Sequence, residues 1–299
     1  MTAALPELSV RQPACDSGGP VVDVHGALPP GGGAVLLLVH GYANSAAAAR
    51  DSWRAFLDGI AAVKIGGWMP RNPTGVQWPG DEPIAGLNQA SYPLKIGVSR
   101  DAARRMDVYL RAMAGPGGAP LTLSVVAHSL GCRLAAELLE CLAQPPAHSV
   151  VVDRVVFMAA AVPTDRVDRG QELRGGVDWA GGICALYSEG DPVLRLAFPI
   201  GETVGGDGFF PTAVGRHGGP GATWMVTQQM AHGGNLYAHS DYWAGIESAA
   251  AAAAFFWIPV AASVAARGLP AHGLPEVTAI PIRGTPSRAI AARPLAAGG

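Results

Sequence analysis

Apolar residues along this chain fall into two rhythms that alternate from the first third to the last. Short, mostly apolar runs occupy residues 34–39, 121–127, 155–160 and 183–187, and 223–228 reads as the last strand. Runs of that length without polar alternation predict strands of a parallel sheet covered on both faces. Between them the apolar positions return every three to four residues. Trp53, Phe56, Leu57 and Ile60 mark one face of a helix over 46–60, and Ala102, Met106, Tyr109 or Leu110, and Met113 mark another over 99–114. Arg104, Arg105 and Arg111 then read as a solvated or flanking face. Leu134, Ala135, Leu138 and Leu142 predict a third helix, with Glu137 and Glu140 toward water. Strands interleaved with helices argue for an α/β fold with helices on both faces of a mostly parallel sheet. Residues 1–20 read as an irregular lead-in, 21–24 as a possible first strand, and 21–260 as one domain. Residues 66–97, rich in Pro and Trp, read as a long connection forming functional walls. A final helix ends near Trp257, and 261–299, rich in Ala, Pro, Gly and Arg, reads as a loosely ordered tail.

The chemistry is concentrated where rhythm changes, in Leu121-Thr-Leu-Ser-Val-Val-Ala-His-Ser129-Leu-Gly-Cys-Arg133. A serine at a sharp turn from strand to helix needs small residues two positions to either side, so that its hydroxyl stands clear of the sheet. Ala127 and Gly131 supply them. The helix that follows opens with Leu130, whose backbone N–H and the positive end of the helix dipole face any oxyanion formed beside Ser129.

On these residues the chain resembles the α/β-hydrolase superfamily, whose Gly-x-Ser-x-Gly elbow stands here as Ala127-His128-Ser129-Leu130-Gly131. With His40-Gly41-Tyr42-Ala43-Asn44-Ser45, Trp78-Pro79-Gly80-Asp81 and His239-Ser240-Asp241-Tyr242, the likeness narrows to small bacterial esterase- or lipase-like hydrolases over roughly residues 34–257. It implies an α/β-hydrolase fold and a serine hydrolase that cleaves a carboxylic ester or related acyl substrate through an acyl-enzyme. It also implies that the N–H of Tyr42 joins that of Leu130 in the oxyanion hole, and that an acid and a histidine follow the serine in that order. For the acid, Asp191 is favoured, in the loop after the strand over 183–187, with Asp165 and Glu189 as alternatives and a helix N-cap as its bland role. For the base, His239 is favoured and His232 is the rival. His40 and His128 read as packing and hydrogen-bonding residues, and His25, His148 and His217 as surface residues. Asn44 or Ser45 reads as a helix cap, and Trp78 to Asp81 as a structural turn with a role at the site as the alternative. A thioesterase, amidase, acyltransferase or silent binding protein on the same scaffold remain alternatives.

Composition narrows the field further. The 299 residues are 49% hydrophobic and 15% charged, with a net charge of −2, enough apolar material for one large core. The balanced charge and the absence of a basic run argue against nucleic acid as a partner. No metal-ligand spacing, phosphate loop or dinucleotide fingerprint is present, so no cofactor is expected and the partner is a small acyl molecule. Cys15, Cys132, Cys141 and Cys184 have no paired spacing, which suits a reducing compartment, and 1–19 does not read as a secretory signal, so the expected location is cytoplasmic. Residues 248–266 carry no charge, but the alanine run and Pro259 argue against a membrane span. Residues 201–221, with Phe209 and Phe210 among glycines, fit either a mobile rim over an apolar pocket or a surface loop whose phenylalanines dock on the body.

Overall fold

In the computed structural model, which describes residues 4–10, 23–25, 33–67, 69–80, 92–114, 120–145, 149–220 and 224–257, the runs fall in strands of one eight-stranded sheet. The strands are β1 (Glu7–Ser9), β2 (Asp23–His25), β3 (Ala34–Val39), β4 (Pro73–Gln77), β5 (Leu121–His128), β6 (Val150–Met158), β7 (Ile183–Tyr187) and β8 (Trp224–Gln229). They lie in the order β2-β1-β4-β3-β5-β6-β7-β8. Edge strand β2 runs antiparallel to β1, and the other pairings within this sheet are parallel.

Parallel neighbours need crossovers, and their direction fixes where the helices go. From β3 the chain steps outward to β4 through α1 (Ala46–Val63). It then returns past β3 to β5 through α2 (Tyr92–Ala114), and continues to β6 and β7 through α3 (Leu130–Ala143) and α4 (Arg174–Trp179). Right-handed crossovers in opposite directions place α1 on one face and α2 to α4 on the other. The final helix α7 (Ile246–Trp257) packs on α1, where Gly59 comes so close that an added Cβ would stand 2.9 Å from that of Ala249. The alanine run of α7 thus allows close helix packing. Two further α-helices, α5 (Phe198–Gly205) and α6 (Val214–His217), and a hairpin of β9 (Ala231–His232) and β10 (Asn235–Leu236) follow later in the chain. This is the α/β-hydrolase architecture. Among the described residues no helix is long and apolar enough to cross a membrane.

Several elements differ from the sequence expectation. The lead-in 1–20 contains β1, paired with both β2 and β4, and the first expected strand 21–24 is observed as Asp23–His25. The connection 66–97 contains β4, a central strand hidden by Pro73 and Gly75. Pro73 opens the strand, where its missing N–H is tolerated, and Gly75 leaves room for the ring of Trp53, onto which a Cβ would fall. Helix α2 starts at Tyr92 rather than residue 99, with Pro93 in its first turn and Gly97 masking the periodicity. Glu137 is buried rather than facing water. Arg111 is not simply solvated: its Nη2 donates to the carbonyls of Cys141, Leu142 and Gln144 and so caps the C-terminal end of α3. The tail 261–299, Cys15, Asp81 and His148 lie outside the described residues.

Candidate active site

The chain order reverses direction between β3 and β5, and the crevice beyond the carboxyl ends of such strands is where an α/β sheet leaves room for a ligand. Gly41 and Tyr42 follow β3, and Ser129 follows β5. Ser129 has φ 54° and ψ −128°, a backbone conformation that costs a non-glycine residue on the order of 1–3 kcal/mol. Neighbouring structure holds it there. Its N–H donates to the carbonyl of Met158 at 3.0 Å, and its carbonyl accepts from Ala161 at 3.1 Å, so the end of β6 grips the turn on both sides. Gly131 is required by contact, since a Cβ there would fall on the carbonyl oxygen of His40. Gly41 approaches Ser129 as closely: a Cβ on it would stand 2.8 Å from that of Ser129. Leu130 opens α3 beside the serine, and its neighbour Cys132 donates its N–H back to the Ser129 carbonyl at 3.0 Å.

Asp191 and His239 converge on this serine from two later loops. His239 Nε2 lies 2.8 Å from Ser129 Oγ, and its Nδ1 lies 2.7 Å from Asp191 Oδ2. A fully buried carboxylate beside Nδ1 accepts only, so Nδ1 carries the proton and Nε2 is left to accept from the serine hydroxyl. The other oxygen of Asp191 is also in use: Oδ1 accepts from the N–H groups of Val193 at 2.9 Å and Leu194 at 3.0 Å. The functional and N-capping readings of Asp191 therefore describe two oxygens of one carboxylate. The loops are tied together by Ser188, whose Oγ donates to the Tyr237 carbonyl at 2.6 Å and accepts from Gly190 at 3.2 Å. Ala238 N–H donates to Asp241 Oδ2 at 2.7 Å, closing the turn that carries His239.

The rival residues stand elsewhere. Asp165 lies in an exposed turn and Glu189 is exposed beside Asp191, while His232 on β9 points to solvent with Nδ1 2.6 Å from Glu247 Oε1. His217 is exposed at the end of α6. His40 stacks on Trp78, ring centroids 5.6 Å apart, and its carbonyl accepts from Trp78 Nε1 at 2.8 Å, so Trp78 braces the turn after β3. Ser45, rather than Asn44, caps α1 by accepting from Ala48 at 3.2 Å.

His128 does more than pack. Its Nε2 lies 2.8 Å from the carbonyl of His239, which can only accept, so Nε2 is the protonated nitrogen. Nδ1 is buried without a hydrogen-bond partner among the described residues. Burial first, and then the nearby His239 ring, push its pKa down to about 3, so the ring stays neutral and holds the His239 backbone in place. The position directly before the serine is the sequence signal for this role, but the partner is 111 residues away.

The serine opens into a pocket of about 540 Å³ lined by Tyr42, Tyr92, Val193, Leu194, Phe198 and Ile200 among others, with Ser129 and His239 also in its lining. Most of the wall comes from one continuous helical stretch, a π-helical turn at Val193–Ala197 running into α5. Residues 201–204 do border the apolar pocket, as the rim reading expects, while the phenylalanines do not dock as the surface-loop reading expects. Gly201 and Val204 line the pocket, whereas Phe209 and Phe210 stand exposed, stacked edge-on against each other and not docked on the body.

Behind that wall lies a buried charge network that sequence reasoning missed. Arg133 on α3 is 1% exposed and bonds to Asp207 and to Glu137 Oε1 at 2.9 Å, and Arg166 reaches Asp207 and Glu172 at 2.9 Å each. Next to it, Tyr92 donates its hydroxyl to Glu202 Oε1 at 2.7 Å. Burial raises the Glu202 pKa to about 8, so the carboxyl is largely neutral near pH 7. Among the described residues no group of three or more His, Cys, Asp or Glu is placed to hold a metal ion.

No protein-family model matches this chain, and no curated protein is detectably similar to it. Solved structures similar in architecture include an esterase of Pyrobaculum calidifontis, 12% identical, covering 77% of this chain and 78% of that one with a TM-score of 0.39. Esterase B of Lactobacillus rhamnosis, inhibited by a tributyrin phosphonate, is 10% identical and covers 79% and 78% with a TM-score of 0.41. Phospholipase PlaB of Legionella pneumophila, in complex with thio-NAD, is 12% identical over 56% of this chain and 39% of that one, with a TM-score of 0.28. What places the chain in the α/β-hydrolase architecture is its own sheet order and serine turn.

Proposed function

We propose that the protein is a serine hydrolase that cleaves carboxylic esters through an acyl-enzyme. The observation that carries this reading is the unbroken relay from Asp191 Oδ2 to His239 at 2.7 Å and from His239 to Ser129 Oγ at 2.8 Å, in the lining of an apolar pocket. Ser129 Oγ attacks the ester carbonyl carbon as His239 Nε2 takes its proton, and Asp191 stabilises the resulting imidazolium. The N–H groups of Leu130 and Tyr42 receive the developing oxyanion. Collapse of the tetrahedral intermediate breaks the bond to the alcohol, which leaves with the proton from His239. Water, deprotonated by the same histidine, then releases the acid and restores the serine.

The apolar walls suit an acyl chain: among the described residues that line the pocket none is Asp, Glu, Lys or Arg. The three described cysteines are free, which fits a reducing cytoplasmic setting. Labelling with a fluorophosphonate probe and hydrolysis of p-nitrophenyl esters test the reading. The expected result is labelling and turnover in the natural protein, both lost in Ser129→Ala. A folded natural protein that neither labels nor cleaves any ester overturns it.

A further inference from the structure

The wall that closes the pocket also presents an unusual outer surface. Between Pro192 and Phe210 the side chains exposed to solvent include Val193, Leu196, Ile200, Val204, Phe209 and Phe210, with Val204 exposed to 71% and Phe209 to 85%. Arg195 is the single exposed charge of this stretch, because both of its acids, Glu202 and Asp207, are buried. Clustered exposed apolar side chains of this size mark an interaction site rather than ordinary surface. Val193, Ile200 and Val204 face the pocket on one side and solvent on the other, so the apolar surface is continuous with the entrance to Ser129.

The phenylalanine pair is held in display. Phe210 has φ 47°, a left-handed conformation that a non-glycine residue adopts at a cost, and its N–H donates to Thr203 Oγ1 at 2.8 Å, fastening the turn to the end of α5. Asp207 N–H donates to the Glu202 carbonyl at 2.9 Å and closes the same turn.

We infer that this rim docks on a lipid surface and that the pocket draws its acyl substrate from that surface. Because this apolar face runs into the pocket that holds Ser129, ester taken up from a lipid surface would pass along apolar side chains to the serine. The charge pattern agrees: the exposed stretch offers a phospholipid phosphate one cation, Arg195, and no carboxylate to repel it. Docking is by shallow burial of side chains rather than by a span. The choice of substrate rests on the esterase reading, but the docking itself does not.

The test is flotation of the full chain with vesicles of phosphatidylcholine and phosphatidylglycerol, in the Ser129→Ala background so that no lipid is consumed. The comparison adds Phe209→Ser and Phe210→Ser, and a separate variant carries Leu196→Ser. The parent is expected to float with the vesicles. Losing two phenylalanines should lower the bound fraction at least about tenfold, because each would bury an aromatic side chain in the lipid. With Ser129 intact, the same surface variants should hydrolyse soluble p-nitrophenyl butyrate at the natural rate and melt within a few degrees of the natural protein. Failure of the parent to float, equal flotation of parent and variants, or a lipid-free dimer that the substitutions dissociate would overturn the inference. A protein that floats yet cleaves no ester would instead overturn the esterase reading and leave the docking intact.

Discussion

Asp191 holds two parts of the site with one carboxylate, and the two duties can be separated by substitution. Asparagine keeps an oxygen for the N–H groups of Val193 and Leu194 but removes the charge that faces His239. Asp191→Asn is therefore expected to lower kcat by about a thousandfold or more while leaving the melting temperature nearly unchanged. Asp191→Ala should lose the activity and, in addition, about 1–2 kcal/mol of stability measured by urea denaturation, because the cap goes too. Equal stability losses in both variants would contradict this division. His128 makes a second residue-scale prediction. Its folded pKa of about 3 lies below its ordinary value near 6.5, so the unfolded chain binds a proton that the folded chain refuses. The stability this contributes is fully present above about pH 6.5 and is lost as pH falls toward 3. His128→Gln keeps a donor for the His239 carbonyl and cannot titrate, so its stability should fall less steeply from pH 7 to pH 4 in urea titrations, with esterase activity retained within about tenfold. Identical slopes in the two proteins would refute it.

At the scale of elements, charge pairs fasten the pocket wall to the body. Arg133 of α3 and Arg166 meet Asp207, just beyond α5, while Tyr92 of α2 meets Glu202 within α5. Removing one partner of a buried ion group leaves the others uncompensated. Arg133→Met is expected to cost about 3–5 kcal/mol in urea denaturation. Glu202 acts in the opposite sense. Its folded pKa of about 8 exceeds the ordinary carboxyl value, so the unfolded chain releases a proton that the folded chain keeps. Stability thus declines as pH rises from about 4.5 to 8 and levels off above. Glu202→Gln preserves an acceptor for the Tyr92 hydroxyl and should flatten that decline, as read from denaturation midpoints at pH 5 and pH 8. A decline as steep as in the natural protein would show that Glu202 is not its source. None of this network was legible in the helical pattern of α3, because Glu137 occupies a position that periodicity assigns to water. The acids and arginines that bury it come from α2, from the turn at Thr164–Arg166 and from the end of α5.

On the scale of the whole molecule, the site is assembled where crossovers diverge on either side of β3, so that loops after β3, β5, β6, β7 and β8 meet in one crevice. The pocket above it joins α2 and the Val193–Gly205 stretch across this crevice, and its free volume of about 540 Å³ limits the acyl group. Ala197 faces that space. Ala197→Phe is expected to shift preference toward shorter acyl chains, lowering the ratio of kcat/KM for octanoyl over acetyl p-nitrophenyl ester about tenfold or more, since each methylene excluded from an apolar site is worth roughly 1–3 kcal/mol. An unchanged ratio would place the acyl chain elsewhere.

How much of this could be read in advance follows from the range of the forces involved. The strand-turn-helix around Ser129, the covered strands β3, β5 and β7 and the apolar faces of α1 and α3 are local patterns, and local sequence determined them through periodicity and the steric demand for Ala127 and Gly131. Asp191 and His239 were chosen over Asp165, Glu189 and His232 by loop position and chain order, and it is the folded geometry that brings those two, and not the rivals, within hydrogen-bond distance of the relay. Strands β1 and β4 were not legible, because three residues, or a proline and a glycine, carry almost no pattern of their own and are ordered by pairing with strands already in place. The tether from His128 to His239, the buried Arg133 network and the apolar outer face of the pocket wall likewise depend on which distant segments come together. Sequence by itself determined the layered fold and the serine at its strand-to-helix turn, whereas the partners of that serine and the surface around its pocket were decided by tertiary packing, which alone sets distances between residues far apart in the chain.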